Sequence, residues 1–151
     1  MAFADAYTYV DPSIILVANP AGTPAVAADI QLKCTSNEVH LTPEDSMAEV
    51  DSFCNPDGEI PSSTKWMSNF NILLSFTNGA DVGSWNTLHP LRKTKQTFKL
   101  KPKDSALGVG NPEVTFQAYV PSVPFLDGSR GESSRFEFEL SVIGEPVFAT
   151  A

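Results

Sequence analysis

The strongest constraint on this chain is a period of two in its apolar residues. Over Lys65–Phe76, the residues Trp66, Ser68, Phe70, Ile72, Leu74 and Phe76 share one side, while Lys65, Met67, Asn69, Asn71 and Ser75 fall mostly on the other. Successive side chains of a strand point to opposite faces, so this stretch predicts a strand with one dry and one wet side. The pattern returns at Phe98/Leu100, at Val114/Phe116/Ala118/Val120 and at Phe136/Phe138/Leu140/Val142. A sheet built from such strands has an apolar face to bury and a polar face left over. The chain is therefore expected to be mainly β, and what meets the polar face becomes the functional question.

A length of 151 residues suits a single domain, 1–151, with a substantial core, and 42% hydrophobic residues argue against disorder. No apolar run approaches the ~20 residues that span a bilayer. Met1–Val10 lacks a basic segment followed by a long apolar one, so the expectation is a protein made and folded in a cytoplasm. Cys34 alternates with Ile30 and Leu32 and reads as a small core residue, whereas Cys54 falls in a loop-like stretch. Without an export signal, a bridge between them is disfavoured. The histidines His40 and His89 are isolated, and no Cys/His pair has zinc spacing, so neither metal nor cofactor is expected. The net charge is -8, opposite in sign to that of a protein binding nucleic acid by neutralising phosphates.

Along the chain, residues 1–12, with Tyr7 and Tyr9, read as an N-terminal arm that needs a partner for order. Ser13–Ala18 and Asp29–Thr35 are strand candidates, and Val39–Leu41 continues a strand that Pro43 should stop. Residues 43–64 show neither helical nor strand period and read as a long loop. This segment carries Glu44, Asp45, Glu49, Asp51, Asp57 and Glu59 without a Lys or Arg. Loops longer than roughly 12–15 residues are uncommon in compact domains unless functional or disordered. Met47, Val50, Phe53 and Ile60 make this one too apolar for disorder, which favours docking on another surface; the competing reading is a lid over its own core.

A short helix is expected over about 81–89, capped by Asp81, with Val82, Trp85 and Leu88 facing inward and Pro90 ending it. Trp85 reads as a core plug. Six of the ten cations then follow within twelve residues, as Arg92, Lys93, Lys95, Lys99, Lys101 and Lys103. Lys95, Lys99 and Lys101 share the outward side of a strand at Gln96–Leu100. They suit either a docking patch for an acidic loop of a neighbour or a solvated edge guarded against mispairing. Glu113–Val120 and Ser134–Val142 are further strands, with a short last one at Val147–Phe148.

No catalytic constellation emerges. Gly128-Ser129-Arg130-Gly131 is not a G-x-S-x-G elbow and reads as a turn. Gly108-Val109-Gly110 lacks the Lys-Ser/Thr of a phosphate loop. Glu137 and Glu139 leave one strand on the same side and read as a wet acidic stripe rather than an acid/base pair. The chain is not expected to be an enzyme.

From about residue 28 to 149 the arrangement resembles the tail tube proteins, or major tail proteins, of long, non-contractile-tailed bacteriophages. The matching pieces are the strands around Ile30–Cys34 and Val39–Leu41, the long segment ending near Phe53-Cys54 and the Thr64-Lys65-Trp66 start of a long strand. To these are added the helix with Trp85 and Leu88 and the Thr97-Phe98-Lys99-Leu100 strand. The most specific piece is C-terminal. A run from Pro124 to Glu132 leads to Phe136-Glu137-Phe138-Glu139-Leu140 and then Gly144-Glu145-Pro146-Val147-Phe148.

The resemblance implies a β-sandwich or barrel of two antiparallel sheets with one helix. It also implies hexameric rings of this chain stacked into a hollow tube in the virion, assembled in the host cytoplasm. Tape measure, tail terminator and distal tail proteins would be its partners, no membrane would be involved, and double-stranded DNA would pass through during ejection without specific binding. The wet faces would line the bore, with Asp29, Glu137 and Glu139 as acidic lumen candidates and Arg135 and Lys33 beside them. The 43–64 segment, the arm with Tyr7 and Tyr9, and Lys95, Lys99 and Lys101 would touch neighbouring subunits. DNA carries about one charge per 1.7 Å, so an acidic wall discourages adhesion where a basic one would hold it. Two rival roles remain on the same residues. One is a tail terminator or capsid decoration subunit, and the other a carbohydrate- or receptor-binding β-sandwich using Tyr7, Tyr9 and Tyr119.

Overall fold

A computed structural model describes residues 11–52 and 55–151, with side chains for all of these except 49–61. Tyr7, Tyr9, Phe53 and Cys54 lie outside the described residues. The alternating segments form strands, as their period requires: β1 (Ser13–Leu16), β2 (Ile30–Gln31), β3 (Ser36–Ser52), β4 (Asn55–Leu73), β5 (Lys95–Lys101), β6 (Glu113–Tyr119) and β7 (Arg135–Ala149). The helix α1 (Ser84–Leu88) continues into a 3-10 turn at His89–Leu91. The fold is mainly β, antiparallel throughout, with one short helical segment.

Instead of two separate sheets, the strands make one sheet of seven in the order β2-β1-β5-β6-β7-β4-β3. Its two halves share β7. Residues 135–141 of β7 pair with β4, and residues 142–149 pair with β6. Within the pairing with β6 the register slips, and Gly144-Glu145-Pro146 stand opposite a single residue, Phe116. Gly144 has a φ of 71°, which disfavours any residue with a Cβ. The strand continues through the bulge, so Val147–Phe148 extends β7 rather than forming a strand of its own.

The dry faces meet in one core. Phe70, Phe98, Phe138, Ile14, Leu16, Ile72 and Leu140 are almost completely buried. Full burial of each such side chain contributes about 1.5–3 kcal/mol. Stacked rings link Phe98 to Phe116 (centroids 5.6 Å apart) and Phe70 to Phe138 (6.1 Å). Leu88 and Leu91 bring the helical segment onto this core.

The helix begins three residues later than its sequence suggested, and Asp81 does not cap it. Asp81 pairs with Asn78 in a turn, and Gly83 occupies the N-cap without a side-chain bond. The start of α1 is tied to the end of β4 instead. The Ser84 hydroxyl donates to the Leu73 carbonyl at 2.6 Å, and Ser84 N–H donates to the Ser75 hydroxyl at 2.9 Å. Val82 is therefore turned outward, 72% exposed. Trp85 is half-buried rather than a core plug: it stacks on His89 (4.5 Å) and meets Phe76 and Phe125 at the surface. Cys34 is also exposed. β2 is only two residues long, and a turn follows it, so the alternation that puts Leu32 inside does not extend to Cys34.

The largest departure is at 43–64. It is not a loop: β3 and β4 stay paired through it, from Pro43↔Trp66 to Ser52↔Asn55, as a two-stranded ribbon. Pro43, Pro56 and Pro61 do not interrupt it. β3 is a terminal strand, and β4 beyond Trp66 has β3 as its only neighbour, so each strand has an unpaired edge where a missing N–H costs nothing. Thr42 to Met47 and Ser62 to Lys65 are exposed without alternation, because both faces of the ribbon are wet.

Candidate assembly surfaces

Three surfaces are left over once the core is closed. The first is the polar face of β3, β4 and the first half of β7. Register aligns Glu38, Asn71 and Glu137 in one row across the three strands, and His40, Asn69 and Glu139 in the next. Asn71 Nδ2 donates to Glu137 Oε1 at 3.2 Å, and His40 Nε2 lies 3.7 Å from Glu38 Oε2. Arg135 alternates into the same face. Three carboxylates against one guanidinium leave this wall acidic.

Of the lumen candidates, Glu137, Glu139 and Arg135 come together here. Asp29 and Lys33 belong elsewhere. Asp29 Oδ1 accepts the Ala18 N–H at 2.7 Å and ties together the connection between β1 and β2. Lys33 bridges Asp11 (2.9 Å) and Asp104. Those hydrogen bonds, Asp104 first, raise the Lys33 pKa above its ordinary value, and the ammonium holds Asp104 below the usual carboxylate range. Glu38, His40, Asn69 and Asn71 were not singled out in the sequence. Each lies on the wet side of its strand, but only the register shows that they form rows with Glu137 and Glu139.

The edges of this three-stranded portion are both open among the described residues. β3 ends the sheet order, and no strand pairs with the second edge of Arg135–Ser141, because β6 takes up β7 only from Val142 onward. An open groove of about 870 Å³ runs beside β3, and its lining includes Ile14, Lys33, Cys34, Glu38 and His40.

The second surface is the outward face of β5, β6 and the second half of β7. Buried Gln96, Phe98 and Leu100 alternate with Lys95, Thr97, Lys99 and Lys101, so the lysines share one side as expected. Lys95 stands opposite Tyr119 and Lys99 opposite Thr115, which in turn stands opposite Val147. Tyr119 is 59% and Val147 65% exposed. Lys101 Nζ donates to the Ser105 carbonyl at 2.9 Å, while Lys95 and Lys99 have no ion-pair partner among the described residues. β5 is not an edge strand, since β1 and β6 flank it. Lys99, paired on both sides, therefore does not guard a sheet edge, whereas β1 does not reach Lys95.

The third surface is the ribbon. Glu44, Asp45 and Met47 are exposed on it, and the backbone register includes Val50↔Gly58, Glu49↔Glu59 and Ala48↔Ile60, with Asp51 next to the tip.

Among the described residues no group of three or more His, Cys, Asp or Glu could hold a metal ion, and no helix is long and apolar enough to cross a membrane. The chain matches no family model and no curated protein sequence.

Proposed function

We propose that this protein is the structural subunit of a bacteriophage tail tube. Hexameric rings of it stack into a virion tube that conducts double-stranded DNA during ejection. The observation that carries the reading is a sheet portion, β3–β4–β7, open on two unlike edges and acidic on its outward face. A head-to-tail contact joins the β3 edge of one copy to the free β7 edge of the next, and a ring results if the rotation closes. Closure removes the exposed edges that otherwise invite mispairing. The rows Glu38–Asn71–Glu137 and His40–Asn69–Glu139 then line the bore. Screening limits their repulsion of DNA to the ~8 Å Debye length, which is enough to prevent adhesion without a barrier to transit. The ends of such a tube meet terminator and distal tail proteins, and a tape measure protein occupies the bore during assembly.

Negative-stain electron microscopy of the purified full chain tests this directly. Rings or filaments with a stain-filled centre are expected. A protein that stays monomeric at every concentration, or forms only compact trimers, overturns the reading.

A further inference from the structure

We propose that the acidic β3–β4 ribbon of one copy docks across the lysine face of β5–β6–β7 on a second copy. The partner's identity rests on the tube reading; the contact itself rests on four observations.

First, among the side chains described, the ribbon is held to its own molecule only at its base, where the Trp66 ring meets that of Phe148 at 5.7 Å. Beyond Thr42 and Met67 its strands pair only with each other, and Pro43–Met47 and Ser62–Lys65 are exposed on both faces. An isolated two-stranded ribbon is marginal in water. Second, its charge is one-sided: residues 44–64 hold six carboxylates and no cation. Glu49 and Glu59 are register partners in the backbone pairing, so the excess of acid is carried by both strands.

Third, the complementary surface exists on the same chain and is unused there. Lys95 and Lys99 project from a central strand with no ion pair among the described residues, and the ion pairs present join Lys33 to Asp11 and Asp104, and His40 to Glu38. Fourth, the lysines come with apolar area. Tyr119, Ile143 and Val147 are exposed beside them, and Met47 on the ribbon is 51% exposed. At ~3.3 Å per residue, the roughly ten residues from Pro43 to the tip reach more than 30 Å, enough to cross three strands spaced ~4.8 Å apart. Several opposed charges acting together, with apolar contact beneath them, exceed what an isolated surface pair contributes.

The test uses the full chain, with assembly followed by sedimentation velocity and electron microscopy across a salt titration. Lys95→Glu/Lys99→Glu is expected to raise the concentration needed for assembly about tenfold, the scale set by ~1.4 kcal/mol, with Lys95→Ala/Lys99→Ala intermediate. Added salt should weaken wild-type assembly. Glu49→Lys/Glu59→Lys should be impaired alone and should restore assembly when combined with the lysine reversals. Thermal melts identify any variant that has lost its fold; the alanine pair and the wild-type salt titration do not depend on the reversals folding. Reversals that assemble like the wild type overturn this contact and leave the tube reading intact. Impairment without rescue by the swap also overturns it, because the lysines then meet something other than the ribbon. A wild-type chain that never assembles overturns the tube reading and this contact with it.

Discussion

The ring of Phe70 on β4 lies 6.4 Å, centroid to centroid, from that of Phe98 on β5, although β6 and β7 separate those strands in the sheet. The contact exists because the sheet folds over on its shared strand and brings its two dry faces together. Both rings are fully buried, so each stands at the join between the halves.

Truncating that join should be severe. Phe70→Ala removes a buried aromatic and leaves a cavity, which costs about 3–5 kcal/mol. Urea denaturation of the monomer measures it. A double-mutant cycle with Phe98→Ala should show non-additivity, because the two side chains touch.

Gly83 should tolerate no side chain. A Cβ built there would lie 2.4 Å from the carbonyl carbon of Phe76, a backbone atom that cannot step aside without moving the turn. Gly83→Ala is expected to destabilise the domain by more than Gly144→Ala. At Gly144 the space is open and only the left-handed backbone is strained, at about 1–2 kcal/mol. Thermal melts of the two variants side by side decide the order.

Removing the ribbon should spare the fold. Joining Glu44 to Lys65, which are register partners, through an Asn-Gly turn deletes a segment whose strands pair only with each other. The denaturation midpoint is expected to stay close to that of the full chain while assembly is lost. A large drop in stability would mean the ribbon is folded onto its own core after all.

The Lys33 bridge gives stability a defined pH window. Asp104 titrates lower in the folded protein than when unfolded, so its contribution is present at neutral pH and is lost as the medium is acidified below about pH 4. Lys33 titrates higher when folded, so its contribution is present at neutral pH and is lost as the medium is made alkaline above about pH 10. Both groups are at the surface, so the effect is modest and falls with salt. Lys33→Met should lower the thermal midpoint at neutral pH, and the gap from wild type should close in acid.

Charge on the polar wall should govern retention of DNA. Glu137→Lys/Glu139→Lys is expected to fold and assemble, since both side chains are exposed, but its tubes should hold double-stranded DNA at low salt and release it at high salt. Unchanged ejection from particles carrying these substitutions would remove the wall's proposed role.

Much of the fold was legible because burial writes itself into alternation. Phe70, Ile72, Phe98, Phe116 and Phe138 sit on the dry side that their period assigns them. The ribbon was illegible for the converse reason. A two-stranded element exposed on both faces carries no periodic mark, and its open edges admit the prolines that normally signal a stop. Register was equally out of reach, so Glu38 and His40 could not be placed in rows with Glu137 and Glu139. Nor does periodicity reveal that one strand serves both halves of a sheet: Gly144-Glu145-Pro146 looked like a break between two strands and proved to be a bulge within one. The partners of Asp29 and Lys33 were equally illegible, because a polar residue beside a short strand is as readily used to secure a corner as to face solvent.

The two free margins around β3–β4–β7 have an implication for how such molecules add up. Because the margins differ, a dimer joined in the proposed head-to-tail way satisfies one of each and still presents one of each, as does any longer arc. No partial arc is a resting point, so intermediates should be fleeting and the population should divide between single chains and completed circles.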